Sequence, residues 1–327
     1  MSERRSHSSP LTIALVNNMP DAELRNTELQ FRNLLAFASR ALGIPVRLRI
    51  FAIPEVVRTG DVRQPGEDIA QLWRSEVDGL IVTGMEPRAP ALQDEPYWGT
   101  FAELVGWAAE HTRSAIWSCL AAHASVLALD GVRREPFPSK LFGVFCSADT
   151  SDEETFFPGG AEWFAPHSRW NGLPHRELAR SGYRIWSNSL RTGPDIIVKQ
   201  LRSLFLFVQG HPEYDGWALL REYWRDVGRW LRGKSERYPE IPENYLAQRA
   251  VEALLAFRTE ALLRRGDASL APFPEIPATH LLHSWRDAAR SFYTGWLEHV
   301  ESDRRGRRAS APTPHKTIRR HADALAL

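Results

Sequence analysis

The chain has 327 residues, of which 43% are hydrophobic and 25% are charged, and both values are ordinary for a globular protein. Its 41 Lys and Arg residues almost balance its 40 Asp and Glu residues, so the net charge predicts neither a nucleic-acid nor a membrane partner. Two cysteines, Cys119 and Cys146, are too few for a disulfide framework and are typical of a reducing compartment. No apolar run is long enough for a membrane helix, and we therefore expect a cytoplasmic protein.

The first half of the chain alternates between strands and helices. Residues 1–10 are polar, lack the apolar core of a secretory signal and are expected to be disordered. Short apolar runs predict strands at 11–16, 46–53, 78–83 and 115–118. Helical periodicity predicts helices at 21–42, 97–112 and 120–129.

The second half continues with strands and then becomes helical. Strands are expected at 141–145, 183–187, 196–199 and 204–209, and helices at 217–231, 244–265 and 280–300. Residues 301–327 are rich in Arg, Ser, Pro and His and are predicted to form a disordered basic tail. We therefore expect one α/β domain over 11–300, in which 244–300 is a helical extension and a mostly parallel sheet is flanked by helices. Ligands of such sheets bind beyond the carboxyl ends of the strands.

Cys119 stands where a buried strand is predicted to turn into a helix. Such a turn exposes the sulfur, and the backbone N–H groups of the helix N-terminus stabilise a thiolate and an oxyanion. Most cysteines next to apolar strands are inert core residues, so Cys119 alone indicates a nucleophile only weakly.

A second candidate group, Gly210-His211-Pro212-Glu213, follows the strand predicted at 204–209. A histidine at a strand end can act as a base for a thiol, and a carboxylate two residues later can hold its imidazole in one tautomer. Each residue alone is more often a solvated loop residue. Together with Cys119, they form a nucleophile, a base and an orienting carboxylate in chain order.

These groups occur within a longer pattern that resembles the class I glutamine amidotransferase superfamily, and within it the homoserine O-acyltransferases of the succinyltransferase family. The blocks that carry this resemblance occur in order at 14–20, 78–84, 97–98, 140–145, 165–169, 210–215 and 225–226. The likeness covers roughly residues 11–300. It implies a flavodoxin-like, amidotransferase-like fold and an enzyme of methionine biosynthesis, with no cofactor besides its acyl-CoA co-substrate and with a homodimeric assembly.

The resemblance also implies a role for individual residues. Cys119 matches the acyl-thioester nucleophile of the family, His211 its proton acceptor and Glu213 the third catalytic residue. Three further positions, Lys140, Ser168 and Arg225, match residues that bind the amino-acid acceptor. A guanidinium suits the carboxylate of homoserine because it forms a bidentate pair. Without the resemblance, Arg225 would be interpreted as a surface salt bridge to Glu222 or Asp226, and Lys140 and Ser168 as solvated loop residues.

Two departures from the family pattern concern the acyl group. The family usually has a tryptophan directly after the nucleophile, where this chain has Leu120, so the packing around the acyl group differs. After Gly84 the family often has Ala-Pro, whereas this chain continues with Met85, Glu86, Pro87 and Arg88. Arg88 falls on the position that helps to select the acyl donor. Its cation can pair with a succinyl carboxylate, which favours succinyl-CoA over acetyl-CoA, although Arg88 pointing to solvent is the alternative.

Three other functions remain open from the sequence. A glutamine amidotransferase or related hydrolase would use the same Cys-His-Glu set, but the nucleophile turn lacks the Gly-x-Cys-x-Gly pattern of those enzymes. A non-catalytic protein on this fold is disfavoured because all three residues of the set are present. Acyl transfer to serine is also open, because one methylene contributes only about 1–3 kcal/mol of discrimination.

Overall fold

The structure is a computed structural model, and it describes residues 9–56, 66–151, 156, 162–265 and 272–310. Of the segments predicted to be disordered, 1–10 and 301–327, residues 1–8 and 311–327 lie outside the described residues, so their disorder stays a prediction. Within the described part, no helix has both the length and the apolar composition needed to cross a membrane.

Ten strands among the described residues form one sheet in the order β3-β2-β1-β4-β5-β10-β9-β8-β6-β7. Their bounds are β1 (Leu11–Val16), β2 (Val46–Ala52), β3 (Glu67–Asp68), β4 (Gly79–Val82), β5 (Ser114–Ser118), β6 (Glu135–Asp149), β7 (Trp163–Gly172), β8 (Arg184–Ser189), β9 (Gly193–Gln200) and β10 (Leu204–Val208). Strands β3, β2, β1, β4, β5 and β10 pair in parallel. From β10 through β9, β8 and β6 to β7 the pairing is antiparallel.

Helices cover the faces of this sheet. Their bounds are α1 (Asp21–Leu42), α2 (Ile69–Leu72), α3 (Trp98–His111), α4 (Leu120–Asp130), α5 (His175–Arg180), α6 (Ala218–Leu231), α7 (Gln248–Leu263) and α8 (Arg286–Ser310). The predicted α/β fold, with helices flanking a mostly parallel sheet, is confirmed. The apolar strands are buried on both faces, which explains why they appear in the sequence as continuous apolar runs.

Successive residues of β5 show how the two faces of the sheet are filled. The Trp117 side chain packs among core residues of α3 and α4, including Phe101. The Ile116 side chain packs on the opposite face, where α1 and α8 supply Phe31 and Trp296. Side chains alternate between faces along a strand, so a single strand contributes to both cores. A third apolar cluster joins α6 and α7 to β6.

Several features differ from the sequence-based expectation. Two strands, β3 and β7, and two short helices, α2 and α5, were not expected. In β7, polar residues hide any alternating apolar pattern. The prediction of a disordered tail from residue 301 is wrong for 301–310, because these residues form the final turns of α8. Ion pairs hold this end of the helix: Arg304 pairs with Glu301 at 2.5 Å, and Asp303 pairs with Arg113 at 2.9 Å and with Arg307 at 2.8 Å. Opposite charges three or four residues apart support a helix that composition alone does not predict.

Candidate active site

Cys119 occupies the tight turn between β5 and α4. Its backbone angles are φ 51° and ψ −111°, a sparsely populated conformation that costs about 1–3 kcal/mol and persists only where surrounding contacts impose it. The Cys119 N–H donates to the carbonyl of Val208 at 2.7 Å, and its carbonyl accepts the N–H of Ala122 at 3.0 Å. The turn therefore holds the cysteine between the end of the sheet and the start of a helix, as the sequence predicts.

Backbone N–H groups lie beside this cysteine. The first N–H groups of α4, beginning with that of Leu120, have no acceptor within their own helix. Gly84, at the end of β4, packs so closely that a Cβ on it would lie 3.2 Å from the Leu120 backbone nitrogen. The Leu120 side chain, which replaces the family's tryptophan, is buried. Donors of this kind can hold an oxyanion without any particular side chain.

His211 follows β10 and is held by contacts on both its backbone and its ring. Its N–H donates to the carbonyl of Pro166 at 2.7 Å. Nδ1 lies 2.8 Å from Glu213 Oε1, and the ring stacks on Tyr214 at a centroid distance of 4.2 Å. A carboxylate only accepts hydrogen bonds, so Nδ1 carries a proton and Nε2 is left to exchange one with the substrate or the thiol.

The pKa of His211 is raised well above its usual value of 6.5. Burial acts against this rise because it disfavours the charged imidazolium. The negative charges of Cys119 and Glu213 and their hydrogen bonding to the ring outweigh burial. The Cys119 sulfur and the Glu213 carboxylate therefore both favour the protonated imidazole of His211.

One cavity of about 270 Å³ brings most of the predicted site residues together. Cys119 and His211 line it, and so do Lys140, Ser168 and Arg225. Glu213 lies behind His211, is buried and also faces the Ser118 hydroxyl at 3.4 Å. No group of three His, Cys, Asp or Glu side chains within the described ranges is arranged to bind a metal ion.

The predicted acceptor-binding residues converge on Glu222 of α6. Ser168 Oγ donates to Glu222 Oε2 at 2.5 Å, and the hydroxyl of Tyr214 donates to Oε1 at 2.6 Å. Lys140 Nζ lies 3.9 Å from the same carboxylate. Glu222 was considered in the sequence only as an ion-pair partner of Arg225, and Tyr214 only as part of a matching block. Ser168 meets them from strand β7, which the sequence pattern did not predict.

The position of Arg225 agrees with both interpretations made from the sequence, a salt bridge on α6 and a place in the acceptor site. It pairs with Asp226 at 3.2 Å and approaches Glu222 at 3.7 Å, as the salt-bridge alternative requires. It also lines the cavity of Cys119. Lys140 likewise pairs with Asp226, at 3.2 Å. The cavity wall opposite the cysteine thus carries two cations whose charges are partly balanced by α6.

Arg88 lies outside this cavity. It is exposed and lines an adjoining cavity of about 150 Å³, whose boundary residues Pro20, Met85 and Glu86 are shared with the first cavity. The adjoining cavity is also lined by Asn18 and Tyr97, both of which are buried. Within the described part of the chain, neither the side-chain amide of Asn18 nor the Tyr97 hydroxyl has a hydrogen-bond partner. A polar ligand that enters this space would satisfy both groups.

Known proteins resemble this chain over most of its length. The family model for homoserine O-succinyltransferase matches residues 1–306. The homoserine O-succinyltransferase of Rhodopseudomonas palustris is 43% identical over 92% of this chain and 91% of its own, and that of Bradyrhizobium japonicum is 40% identical over 89% and 90%. A glutamine amidotransferase from Thermotoga maritima, 11% identical, shares the fold with a TM-score of 0.50 over 90% of this chain and all of its own. The resemblance noted from the sequence is confirmed, and the chain belongs to the homoserine O-succinyltransferase family of acyltransferases.

Proposed function

We propose that this enzyme transfers an acyl group, preferably succinyl, from CoA to the hydroxyl of L-homoserine through a thioester on Cys119, as a step of methionine biosynthesis. The observation that carries this proposal is the cavity in which Cys119 and His211 face Lys140, Ser168 and Arg225. It combines a nucleophile and a base with groups that suit an amino acid. The names of the curated relatives agree with it.

The first half-step forms the thioester. The Cys119 thiolate attacks the carbonyl carbon of the acyl-CoA, while backbone N–H groups near Leu120 and Gly84 hold the oxyanion. As the tetrahedral intermediate collapses, the bond to the CoA sulfur breaks and the His211 imidazolium protonates that sulfur. One thioester replaces another, so the acyl group keeps its reactivity.

The second half-step uses the same imidazole as a base. Acylation removes the negative charge of Cys119, which is one cause of the raised His211 pKa. That pKa therefore falls in the acyl-enzyme, and a neutral imidazole is available to accept the proton of the acceptor hydroxyl. The hydroxyl oxygen attacks the thioester, the C–S bond breaks, and the products are the O-acyl amino acid and the thiolate paired again with the imidazolium.

The opposite wall of the cavity suits the two charged groups of homoserine. The guanidinium of Arg225 can pair with the α-carboxylate in a bidentate geometry, and Lys140 adds a second cation. Glu222, which already accepts hydrogen bonds from Ser168 and Tyr214, is a suitable partner for the α-ammonium. These residues would bring the acceptor hydroxyl toward Cys119.

The adjoining cavity supports a preference for a succinyl donor. Asn18 and Tyr97 offer unpartnered polar atoms there, and Arg88 lies on its rim. A succinyl group ends in a carboxylate that can use all three, whereas an acetyl group would leave the buried polar atoms unsatisfied. Leaving such a group unsatisfied costs about 1–3 kcal/mol.

A donor and acceptor panel tests the proposal. Purified protein is mixed with succinyl-CoA or acetyl-CoA and with homoserine or serine, and release of free CoA thiol is measured with Cys119→Ala as the blank. The fastest turnover is expected for succinyl-CoA with homoserine, and Arg88→Ala should narrow the gap between the two donors. Mass spectrometry of wild type mixed with donor alone should show the acyl group on Cys119.

The same panel addresses the alternatives. Faster turnover with serine would replace homoserine as the acceptor. Release of ammonia from glutamine, without CoA release from any donor, would overturn acyl transfer in favour of an amidotransferase reaction. An unmodified Cys119 after incubation with acyl-CoA would favour a non-catalytic protein. The expected absence of a cofactor, the cytoplasmic location and the homodimer remain predictions, and light scattering tests the last of these.

A further inference from the structure

The segment Pro166-His167-Ser168-Arg169 of β7 faces two directions, and the proposed function uses only one of them. Ser168 reaches the cavity, where its hydroxyl meets Glu222. His167 and Arg169 point the other way, as alternate residues of a strand do, and both are buried. A buried histidine and a buried arginine side by side need an explanation, because burying charged and polar groups is unfavourable unless they are satisfied.

Asp195 of β9 supplies the negative charge beside them. It is completely buried, its Oδ1 accepts the Gly210 N–H at 2.8 Å, and its Oδ2 accepts the indole N–H of Trp163 at 2.8 Å. His167 Nε2 lies 3.4 Å from Oδ2. The pKa of Asp195 is lowered: burial alone would raise it, but the neighbouring His167, Arg169 and Gly210 N–H outweigh burial. Asp195 is therefore an ionised carboxylate inside the protein.

The protonation of His167 follows from its neighbours. Arg169 Nε donates to His167 Nδ1 at 3.1 Å, and a guanidinium has no acceptor atom. Nδ1 must therefore be unprotonated, and the single ring proton is on Nε2, on the side of Asp195. The pKa of His167 is lowered, chiefly by burial, so the ring stays neutral. The charges of Arg169 and Asp195 then balance each other in a network that does not titrate near neutral pH.

This network holds residues 209–211, the last of which is His211. The Oε1 atom of Gln209 accepts a hydrogen bond from Arg169 Nη1 at 3.2 Å and lies 2.8 Å from His123 Nε2. The Gly210 N–H is bound by the Asp195 carboxylate, and a Cβ on Gly210 would lie 3.1 Å from the His167 ring. The His211 N–H is bound by the carbonyl before His167. Each backbone unit of 209–211 is thus fixed to the same buried cluster.

We propose that His167, Arg169 and Asp195 form a positioning network that fixes the backbone of residues 209–211 and, through it, the distance and orientation of the His211 imidazole relative to Cys119. None of the three lines the cavity of Cys119, so they act through His211 and do not touch the substrate. The proposal rests on the proposed role of His211 as the base.

Asp195→Asn is the most direct test. The amide can keep its oxygen toward the Gly210 N–H only by turning its NH₂ group toward the N–H groups of Trp163 and His167. This donor-against-donor arrangement should displace residues 209–211. Because a misplacement of about 1 Å can lower a rate by about 10²-fold, we expect kcat to fall by about 10²-fold while KM for both substrates changes by less than about threefold.

Trp163→Phe is the matched control. It removes a hydrogen bond from the same carboxylate and a buried side chain from the same core, but the indole N–H of Trp163 donates to the side of Asp195 that does not bind Gly210. We expect its melting temperature to fall and its kcat to stay within about threefold of wild type. If Trp163→Phe lowers kcat as much as Asp195→Asn, the network is only a stabilising one and the proposal is wrong.

A substrate-free measurement separates this proposal from the proposed function. The rate at which iodoacetamide alkylates Cys119 at pH 7 depends on the pairing of the thiolate with His211 and requires no acyl transfer. Asp195→Asn should slow alkylation, and Trp163→Phe should not. If wild type transfers no acyl group, the proposed function fails while this comparison still tests the network.

Gln209→Leu covers the case in which Asp195→Asn does not fold. It removes the side-chain contacts to Arg169 and His123 but leaves the charged pair intact. We expect kcat and the alkylation rate to fall by about tenfold with unchanged KM. Wild-type values of both in a folded Gln209→Leu protein, or in a folded Asp195→Asn protein, would overturn the proposal.

Discussion

Two buried histidine–carboxylate pairs lie within the described residues, and the pKa values of their imidazoles are shifted in opposite directions. His211 pairs with Glu213 at 2.8 Å, and its pKa is raised. His167 lies 3.4 Å from Asp195, and its pKa is lowered. Burial lowers the pKa of both rings, and a carboxylate raises the pKa of both. The carboxylate alone therefore does not decide the outcome.

The side chain on the other side of each imidazole explains why the two pKa values differ. Cys119 faces His211 and raises the pKa of that imidazole, whereas the cation of Arg169 donates directly to His167. The imidazole of His211 is thereby favoured in its protonated form, whereas the imidazole of His167 is kept neutral. Under the two proposals made above, a histidine–carboxylate pair serves catalysis in one place and positioning in the other, according to the charge placed beside it.

Loss of the His211 imidazole should have the largest effect of the changes considered, and we expect it on kcat. His211→Asn removes the base of the proposed mechanism, and we expect kcat to fall by about 10⁴-fold, or about 5.5 kcal/mol of barrier. Steady-state kinetics measures the loss, with His175→Asn as a control at an exposed histidine. A fall of less than tenfold in His211→Asn would contradict the assignment of the base.

Loss of the cation beside the other pair should cost stability. Arg169→Met removes a buried cation whose charge helps to lower the pKa of the Asp195 carboxylate, and we expect the free energy of unfolding in urea to fall by about 3–5 kcal/mol. An unchanged free energy of unfolding would show that the buried Asp195 carboxylate does not depend on the charge of Arg169 in solution.

The stability loss in Arg169→Met should depend on pH in a defined direction. In wild type, the His167 pKa is lowered, so the contribution of this group is complete above the unfolded value of about 6.5 and is lost as the pH falls toward the lowered folded value. Arg169 is one cause of that lowering, so Arg169→Met should lose less stability in acid. The difference between the two proteins should be greatest near pH 8 and should shrink below about pH 6.5.

Neutralising the carboxylate of the reactive pair should have an intermediate effect. The amide oxygen of Glu213→Gln can still accept the Nδ1 proton of His211, so the tautomer is kept while the negative charge is lost. We expect kcat to fall by about 10²-fold, or about 2.7 kcal/mol, together with a lower His211 pKa. Kinetics and ¹³C-histidine NMR titration measure these two changes, and an unchanged His211 titration would contradict the stated cause of its raised pKa.

The smallest change in the two pairs themselves should come from removing only the charge at residue 119, which is expected to alter the protonation of one ring. Cys119→Ser keeps a similar shape but forms no anion near neutral pH, so the His211 pKa should fall while the His167 ring, which faces Arg169, keeps its state. The same NMR titration follows both rings in one sample. Equal shifts of both rings would mean that the charge at residue 119 does not distinguish the two pairs.

The parallel half of the fold and the position of Cys119 were predictable from the sequence because their signals are local. Strand β5 is a short apolar run, and the residue after it starts a helix, so the position of Cys119 follows from hydrophobic pattern and helix geometry. His211 and Glu213 follow an equally apolar strand, β10. Parallel strands buried on both faces leave a strong pattern in the sequence.

The antiparallel half was harder to predict because its important residues are polar. Strand β7 carries Pro166, His167, Ser168 and Arg169, whose hydrogen bonds, not apolar burial, fix their positions. Asp195 belongs to a different strand, and nothing in its local sequence indicates that it meets Gly210. The buried network depends on the strand order of the folded sheet, which hydrophobic periodicity does not reveal.

The hydrogen bond from the Cys119 N–H to the Val208 carbonyl, 2.7 Å long, has a practical consequence. It extends the pairing of β5 with β10 by one residue, so this amide can exchange with deuterated solvent only when the central strands separate or the turn opens. Its exchange rate is thus a direct gauge of whether the nucleophile turn is intact. Measured in any variant, it would tell a misplaced imidazole from a collapsed turn without adding substrate.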